Sequence, residues 1–331
     1  MSRKPALILL LLLIAVVVCV LRLVVDRPPG GELGIAWPHS DWLQFRLTAV
    51  ITAVIVGGSL ALAGALLQTM LRNPLASPFI LGVSSGAGLG IMVMAWIVYV
   101  TESTSAALPD QGSALVGAVG ALLVVFALGR RKDESGRGWL DPMAIVLVGV
   151  VVSTICAGGM MFFQHLVPTG LRGQFTMWLM GTIPEYVSTW RLVLAASLAC
   201  ISLLYAFGQS RRLDVCLLSD DEAAGLGVDL GPLRLGIFLV CAVLTSVAVS
   251  LSGPIAFVGL IGPHAARLIL GARHAFLIPG AVLCGIILLV GADVLRQLID
   301  LGGGRMPVGV LLTLGGGVLF LVLLRVEMRR S

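Results

Sequence analysis

Gly82-Val83-Ser84-Ser85-Gly86 matches G-x-S-x-G, the pattern that sets a nucleophilic serine on a tight turn between a strand and a helix, and it would make Ser84 the nucleophile of a serine hydrolase. Such a serine needs a base. The four histidines, His39, His165, His264 and His274, are scattered, and only His264 stands in an unusual setting, GLIGPHAAR. The serine pattern also opens an apolar run instead of following a strand, so close backbone packing competes as the reason for its glycines. No H-E-x-x-H occurs and no His, Cys and carboxylate set has metal-ligand spacing, so neither a metal nor a cofactor is expected. A Walker A loop requires lysine after glycine; the only lysines are Lys4 and Lys132, and neither follows one. A pump built on this chain would carry its motor on another polypeptide.

The place where such a motor could grip is a charged island between two apolar runs, 211–230, which reads RRLDVCLLSDDEAAGLGVDL. Ser219 and Glu222 have capping-box spacing, and Asp220, Asp221 and Glu222 put negative charge on a first helical turn, where the helix dipole favours it. Ala223 and Ala224 continue the helix, and Gly225 and Gly227, flanking Leu226, supply its stop. A helix of about two turns cannot cross a hydrocarbon layer of about 30 Å and must lie at its surface. It is either a handle for a soluble partner or a solvated turn that joins two spans.

The elements around these residues follow from composition. The chain has 331 residues, 58% of them hydrophobic and 12% charged, with a mean hydropathy of +1.04, which no soluble domain of this size could keep off its surface. An all-α polytopic membrane protein is expected, 1–331 forming one transmembrane domain with no sizeable extramembrane part. Five of the six cysteines fall in apolar runs, Cys216 falls in the island and none forms a C-x-x-C pair, so no disulfide framework is indicated.

In chain order, apolar runs at 6–25, 46–71, 79–100, 113–128, 142–165, 190–208, 231–251, 255–270, 277–297 and 307–324 give ten spans. The first lacks an A-x-A site after it and reads as a retained span, not a signal peptide. With both termini and the island placed in the cytoplasm, fifteen of the 22 Lys and Arg fall inside and seven outside, as the positive-inside rule requires. Arg22, Arg27, Arg46, Arg172, Arg191, Arg296 and Arg305 are the outer seven. Asp293 and Arg296, three residues apart, could pair on one helix face. Gly64 precedes Pro74 by ten residues and Gly253 precedes Pro263 by the same ten, a faint echo suggesting an inverted repeat.

Three blocks resemble the FecCD family, the permease subunits of ABC importers for iron-siderophore, haem and vitamin B12. They are NPLASPFILGVSSGAG, with Asn73, Pro74, Gly82 and Gly86 at motif positions; LSDDEAAGLGV, 218–228; and GPIAFVGLIGPHAAR, with Gly259, Pro263 and His264. The resemblance covers essentially the whole chain. It implies a homodimeric permease in the inner membrane of a bacterial-type cell, two ATPase subunits gripping the island helix, and a binding protein delivering cargo outside. It also implies a translocation path lined by the fifth span, here Met160, Met161, Phe162 and Phe163. Departures cluster on the expected outer face, where Thr48-Ala49, Gln297 and Arg305 replace residues of the family pattern. Arg46, Arg296 and Arg305 are the rearranged positive set expected to meet the binding protein, against the alternative that they only pair with nearby carboxylates such as Asp293 and Asp300.

Overall fold

A computed structural model of the chain describes residues 3–27, 33–101, 111–132, 138–299 and 305–328. Among the described residues the architecture is helical: α1 (Lys4–Val24), α2 (Ser40–Met70), α3 (Val83–Val100), α4 (Gln111–Leu128), α5 (Pro142–Leu166), α6 (Thr169–Leu179), α7 (Thr189–Gly208), α8 (Ser210–Cys216), α9 (Asp220–Gly225), α10 (Leu230–Ser252), α11 (Val258–Leu270), α12 (His274–Leu298) and α13 (Val308–Met328). Seven of these are long and apolar enough to cross a membrane, and the shorter apolar helices Gly112–Leu128, Val258–Leu270 and Val308–Val322 fall on the other three expected spans. Asp300, Arg137, Arg329 and Arg330 lie outside the described residues.

Sequence explains the helix starts locally. Asp141 accepts a hydrogen bond from Met143 N at 2.9 Å with Pro142 at the first position of α5, and Asp229 does the same for Gly231 N at the start of α10, at 3.0 Å. The helix α6 was not expected, yet Leu171, Phe175, Trp178 and Leu179 have helical spacing. Its low overall hydropathy hid it in what reads as a loop. Phe175 is buried and stacks on Trp178 with ring centroids 6.2 Å apart.

The fold is organised around α2. From Thr52 to Met70 nearly every side chain is buried, and α10, α11 and α12 pack against it. The tightest approach is at Gly64, where a Cβ would land on the carbonyl oxygen of Gly259. Pro263, inside α11, lacks the N–H that would have bonded that carbonyl, so the oxygen is free to face the Gly64 backbone.

At thirteen residues, α11 is only about 20 Å long and cannot cross alone. Residues 253–257 complete the depth without helical structure, which is tolerated at membrane depth only where protein covers it. The covering is backbone on backbone: Gly253 lies against Trp178 O and Gly181 against Pro254 O, and at their flanks Thr182 N donates to Ser252 O at 2.8 Å and Gly309 N to Gly181 O at 3.0 Å. Phe257 then enters α11 with φ +67°, a left-handed backbone unusual for an aromatic residue, and its ring lies against Gly316 and Gly317 of α13. A matching device precedes α3, where a single 3₁₀ turn, Pro78–Leu81, ends at Gly82 with φ +76°. The Gly–Pro spacing that suggested a repeat does not mark equivalent places. Gly64 lies mid-helix and Pro74 in a turn, whereas Gly253 sits in a break and Pro263 within a helix. The left-handed pair Gly82 and Phe257, each opening the helix after a long buried one, is the better correspondence.

Candidate functional site

The island folds as α8 and α9, joined by Leu217 to Ser219. Both ends of α9 are closed. At its start Glu222 N donates to Ser219 Oγ at 3.3 Å, and the Glu222 carboxylate accepts from Ser219 N at 2.9 Å and from Ser219 Oγ at 2.8 Å, completing the capping box. At its end Val228 N donates to Ala223 O and Gly227 N to Ala224 O, the Schellman pairing. The stop is therefore Gly227, with φ +77°; Gly225 is the last helical residue and faces open space. Only Ala223 turns inward. Asp221, Glu222, Ala224, Gly225 and Leu226 are exposed, and Leu217, Leu218 and Leu226 place apolar surface beside the acidic turn.

Asp220 fixes this unit to the spans. Its Oδ1 accepts from Arg72 Nη2 at 2.6 Å and from Arg234 Nη2 at 2.8 Å, joining the end of α2 to the start of α10 through α9. Arg72 also donates from Nε to Cys216 O at 2.9 Å and holds a left-handed backbone, φ +48°. Burial pushes the Asp220 carboxyl up, but the hydrogen bonds from Arg234 and Arg72 outweigh it and hold the group below the usual carboxylate value. The hydrogen bonds to the Ser219 hydroxyl and backbone hold Glu222 low as well.

At the opposite end of the bundle lies a second polar assembly that the sequence showed only in part. Arg22, fully buried near the end of α1, bonds Asp293 of α12, and Asp293 also pairs with Arg296 at 2.5 Å one turn on. Glu185, in the segment between α6 and α7, lies 3.7 Å from Arg22 and bonds Arg305. Arg305 further reaches Asp26 at 2.9 Å and Arg27 O at 2.8 Å, and Arg46 joins the same Asp26 at 2.9 Å. All three expected docking arginines thus sit in one network: Arg296 is buried within it, and Arg46 and Arg305 are mostly covered.

The four α5 residues divide. Met160 packs toward Gly88 and Phe163 tilts against Trp96, ring centroids 5.5 Å apart, while Met161 and Phe162 are exposed. Asn73 shapes the turn after α2, its side chain accepting from Leu75 N at 2.9 Å with Pro74 between them. Gly86 approaches Gly117 of α4, Gly259 touches Leu60 O and the Pro78 ring, and His264 meets Phe320 edge-on at 5.8 Å. Ser84 makes no nucleophile elbow. It follows a 3₁₀ turn, not a strand, and lines a cavity of about 480 Å³ whose other walls are Phe79, Leu179, Met180, Pro254, Ala256, Gly309, Val310, Thr313 and Leu314, with no base among them.

Known proteins resemble this chain along nearly its whole length. The chain is 35% identical over 292 residues to the hemin transport system permease of Yersinia pestis, spanning 88% of this chain and 85% of that one. It is 33% identical over 316 residues to the vitamin B12 import permease of Vibrio cholerae, 93% and 90%, and 32% identical over 295 residues to the Fe(3+)-citrate import permease of Bacillus subtilis, 87% and 83%. Among solved structures, a metal-chelate type ABC transporter in an inward-facing conformation superposes with a TM-score of 0.82 at 28% identity, over 97% of this chain and 99% of that one. The profile of one family matches residues 6–326, nearly the full length, and the chain belongs to the FecCD transport family.

Proposed function

We propose that this chain is the transmembrane permease subunit of an ATP-binding-cassette importer that moves an iron chelate, haem or a corrinoid across the inner membrane. The observation that carries the reading is α9: a helix closed at both ends, exposed on its acidic and leucine-bearing face, and tied by one carboxylate to the ends of two spans. A joining turn needs none of this. Separate ATPase subunits grip α9 from the cytoplasm, where both termini also lie. Lys4 supports the shared side: it sits over the Phe276 ring, at the end of α12 that contacts α8.

Two copies assemble around the translocation path, with the exposed Met161 and Phe162 of α5 facing it. A binding protein docks on the far end, where Arg46, Arg296 and Arg305, with Arg22 beneath them, set four arginines against the three carboxylates Asp26, Glu185 and Asp293. The relatives' names cover hemin, vitamin B12 and ferric citrate, so the class of cargo is a bulky chelate or tetrapyrrole.

The test is reconstitution of the chain in vesicles with its ATPase subunits and binding protein, followed by ATP hydrolysis measured with haemin, cyanocobalamin and ferric citrate in turn. Stimulation by one of them is expected. Hydrolysis indifferent to all three, with a binding protein whose own ligand is of another class by mass spectrometry, would overturn the cargo assignment.

A further inference from the structure

Besides Asp220, a second polar node joins the α8–α9 unit to the spans, and it converges on the same last turn of α2. His274 is the first residue of α12 and is buried, with 1% of its surface exposed. Its Nδ1 lies 2.7 Å from Asp214 Oδ1 on α8, and its Nε2 lies 2.8 Å from Thr69 Oγ1 on α2. Asp214 Oδ1 also accepts the His274 backbone N–H at 2.8 Å, so a carboxylate from α8 caps the start of α12, whose own N-cap, Arg273, offers no side-chain bond. The Thr69 hydroxyl has a further contact, to Ala65 O at 2.9 Å. The Asp214 carboxylate can only accept, so Nδ1–H donates to it, and in the neutral ring Nε2 then accepts from the Thr69 hydroxyl, so that one ring links three elements.

We infer that His274 is a positioning residue through which displacement of α8–α9 is carried into α2 and α12 together. The inference deepens the proposed function and rests on α9 as the ATPase grip. Three features support transmission over mere packing. The bonds lie on α8, at Asp214, and not on the exposed α9, so they bear on how the unit moves and not on what it touches. Thr69 and Arg72, three residues apart, receive the two nodes separately, one through Asp214 and His274 and one through Asp220. The receiving helix is the buried axis of the fold, packed on α10, α11 and α12, so a shift at its end cannot be absorbed at a lipid-facing surface.

The experiment uses the permease with its ATPase subunits in vesicles, and a Cys introduced at the exposed Tyr186 of the far end. Reactivity of that Cys toward a membrane-impermeant maleimide, with and without ATP and vanadate, reads the movement; retention of the ATPase subunits and their basal hydrolysis are measured alongside. Thr69→Val removes the hydroxyl but leaves the ring, and Thr69→Ser restores it. His274→Ala removes both links, His274→Asn offers a group only on the Asp214 side, and His274→Gln only on the Thr69 side. For Thr69→Val and the His274 variants the expected result is ATPase retention and hydrolysis as in the parent, with the ATP-dependent change at position 186 reduced by about fivefold or more, the lower end of ordinary coupling between sites; Thr69→Ser responds as the parent does.

A Thr69→Val response equal to the parent's, or one that Thr69→Ser fails to rescue, overturns the inference. Equal loss of ATPase retention in every variant overturns it too, since the node would then hold the grip itself. A parent that retains no ATPase subunit is a different failure, and it refutes the reading of α9.

Discussion

Arg22 and Asp293 lie 271 residues apart in sequence, yet they form a hydrogen-bonded ion pair in which both side chains are sealed from solvent. Taking charges out of water is costly, and Asp293 here serves two buried arginines, Arg22 and Arg296, so removing it leaves both uncompensated. Asp293→Leu is therefore expected to destabilise the protein by about 3–5 kcal/mol and Arg22→Met by less, since Arg296 still faces Asp293, while Asp293→Leu combined with Arg22→Met and Arg296→Met recovers most of the loss. Unfolding in detergent micelles across this set checks it; equal losses in Asp293→Leu and the triple variant would mean that the cluster acts only by filling space.

Glu222→Arg reverses charge in the capping box. The cost is confined to the exposed cap and is too small to disturb insertion of the surrounding spans. ATPase binding to the purified permease is expected to fall sharply at unchanged expression, measured by co-purification. Undiminished binding and transport would remove α9 from the interface.

Asp220 gives a pH dependence with a fixed sign. Its folded value is depressed below 3.8, so the stabilisation it supplies is present above that value and is lost as pH falls through the folded one. Amide exchange in α9 should therefore be steady at neutral and mildly acidic pH, after correction for the intrinsic rate, and should accelerate only below about 3.8. Asp220→Asn is expected to show the fast exchange already at neutral pH.

Gly64 and Gly225 make a contrasting pair. A Cβ at 64 meets the Gly259 carbonyl, which belongs to backbone and cannot swing aside, so Gly64→Ala should force α2 and α11 apart and lower the melting temperature. Gly225 is helical and faces open space, so Gly225→Ala should be neutral or raise local helix stability by about 0.5–1 kcal/mol. Melting curves of the two variants compared side by side decide it.

Arg305→Glu tests the far-end surface. Binding-protein affinity should weaken and its salt dependence become shallower, because a positive charge is lost from the docking field. Since Arg305 is bonded to Glu185 and Asp26, the reversal also strains the network, and Glu185→Gln serves as the control: it frees positive charge and should tighten binding. If both variants bind as the parent does at low salt, this face is not the docking site.

Local chemistry was the legible part. The Ser219–Glu222 box and the ten apolar runs depend on neighbours a few residues away, and spacing alone reports them. The end of α9 was half legible, because two glycines could stop it and their spacing does not say which of them takes the left-handed position. The Arg22, Glu185 and Arg305 links, and the His274 node, join residues on separate helices. Nothing in the spacing of a single chain tells which buried charge faces which. Arg22 had entered only as one charge in a topology count, and His274 only as one of four histidines.

The burial of α2 has a consequence for biogenesis. It is complete at Met70, but its covering helices α10, α11 and α12 end only at Leu298. At about 5–20 residues per second of synthesis, α2 waits on the order of 10–45 s for its last neighbour. Through that interval Thr52, Ser59, Gln68 and Thr69, all destined for the interior, face lipid or whatever chaperones the nascent membrane segment. Quality control of this protein should therefore act on an early intermediate whose central helix is already inserted and still uncovered.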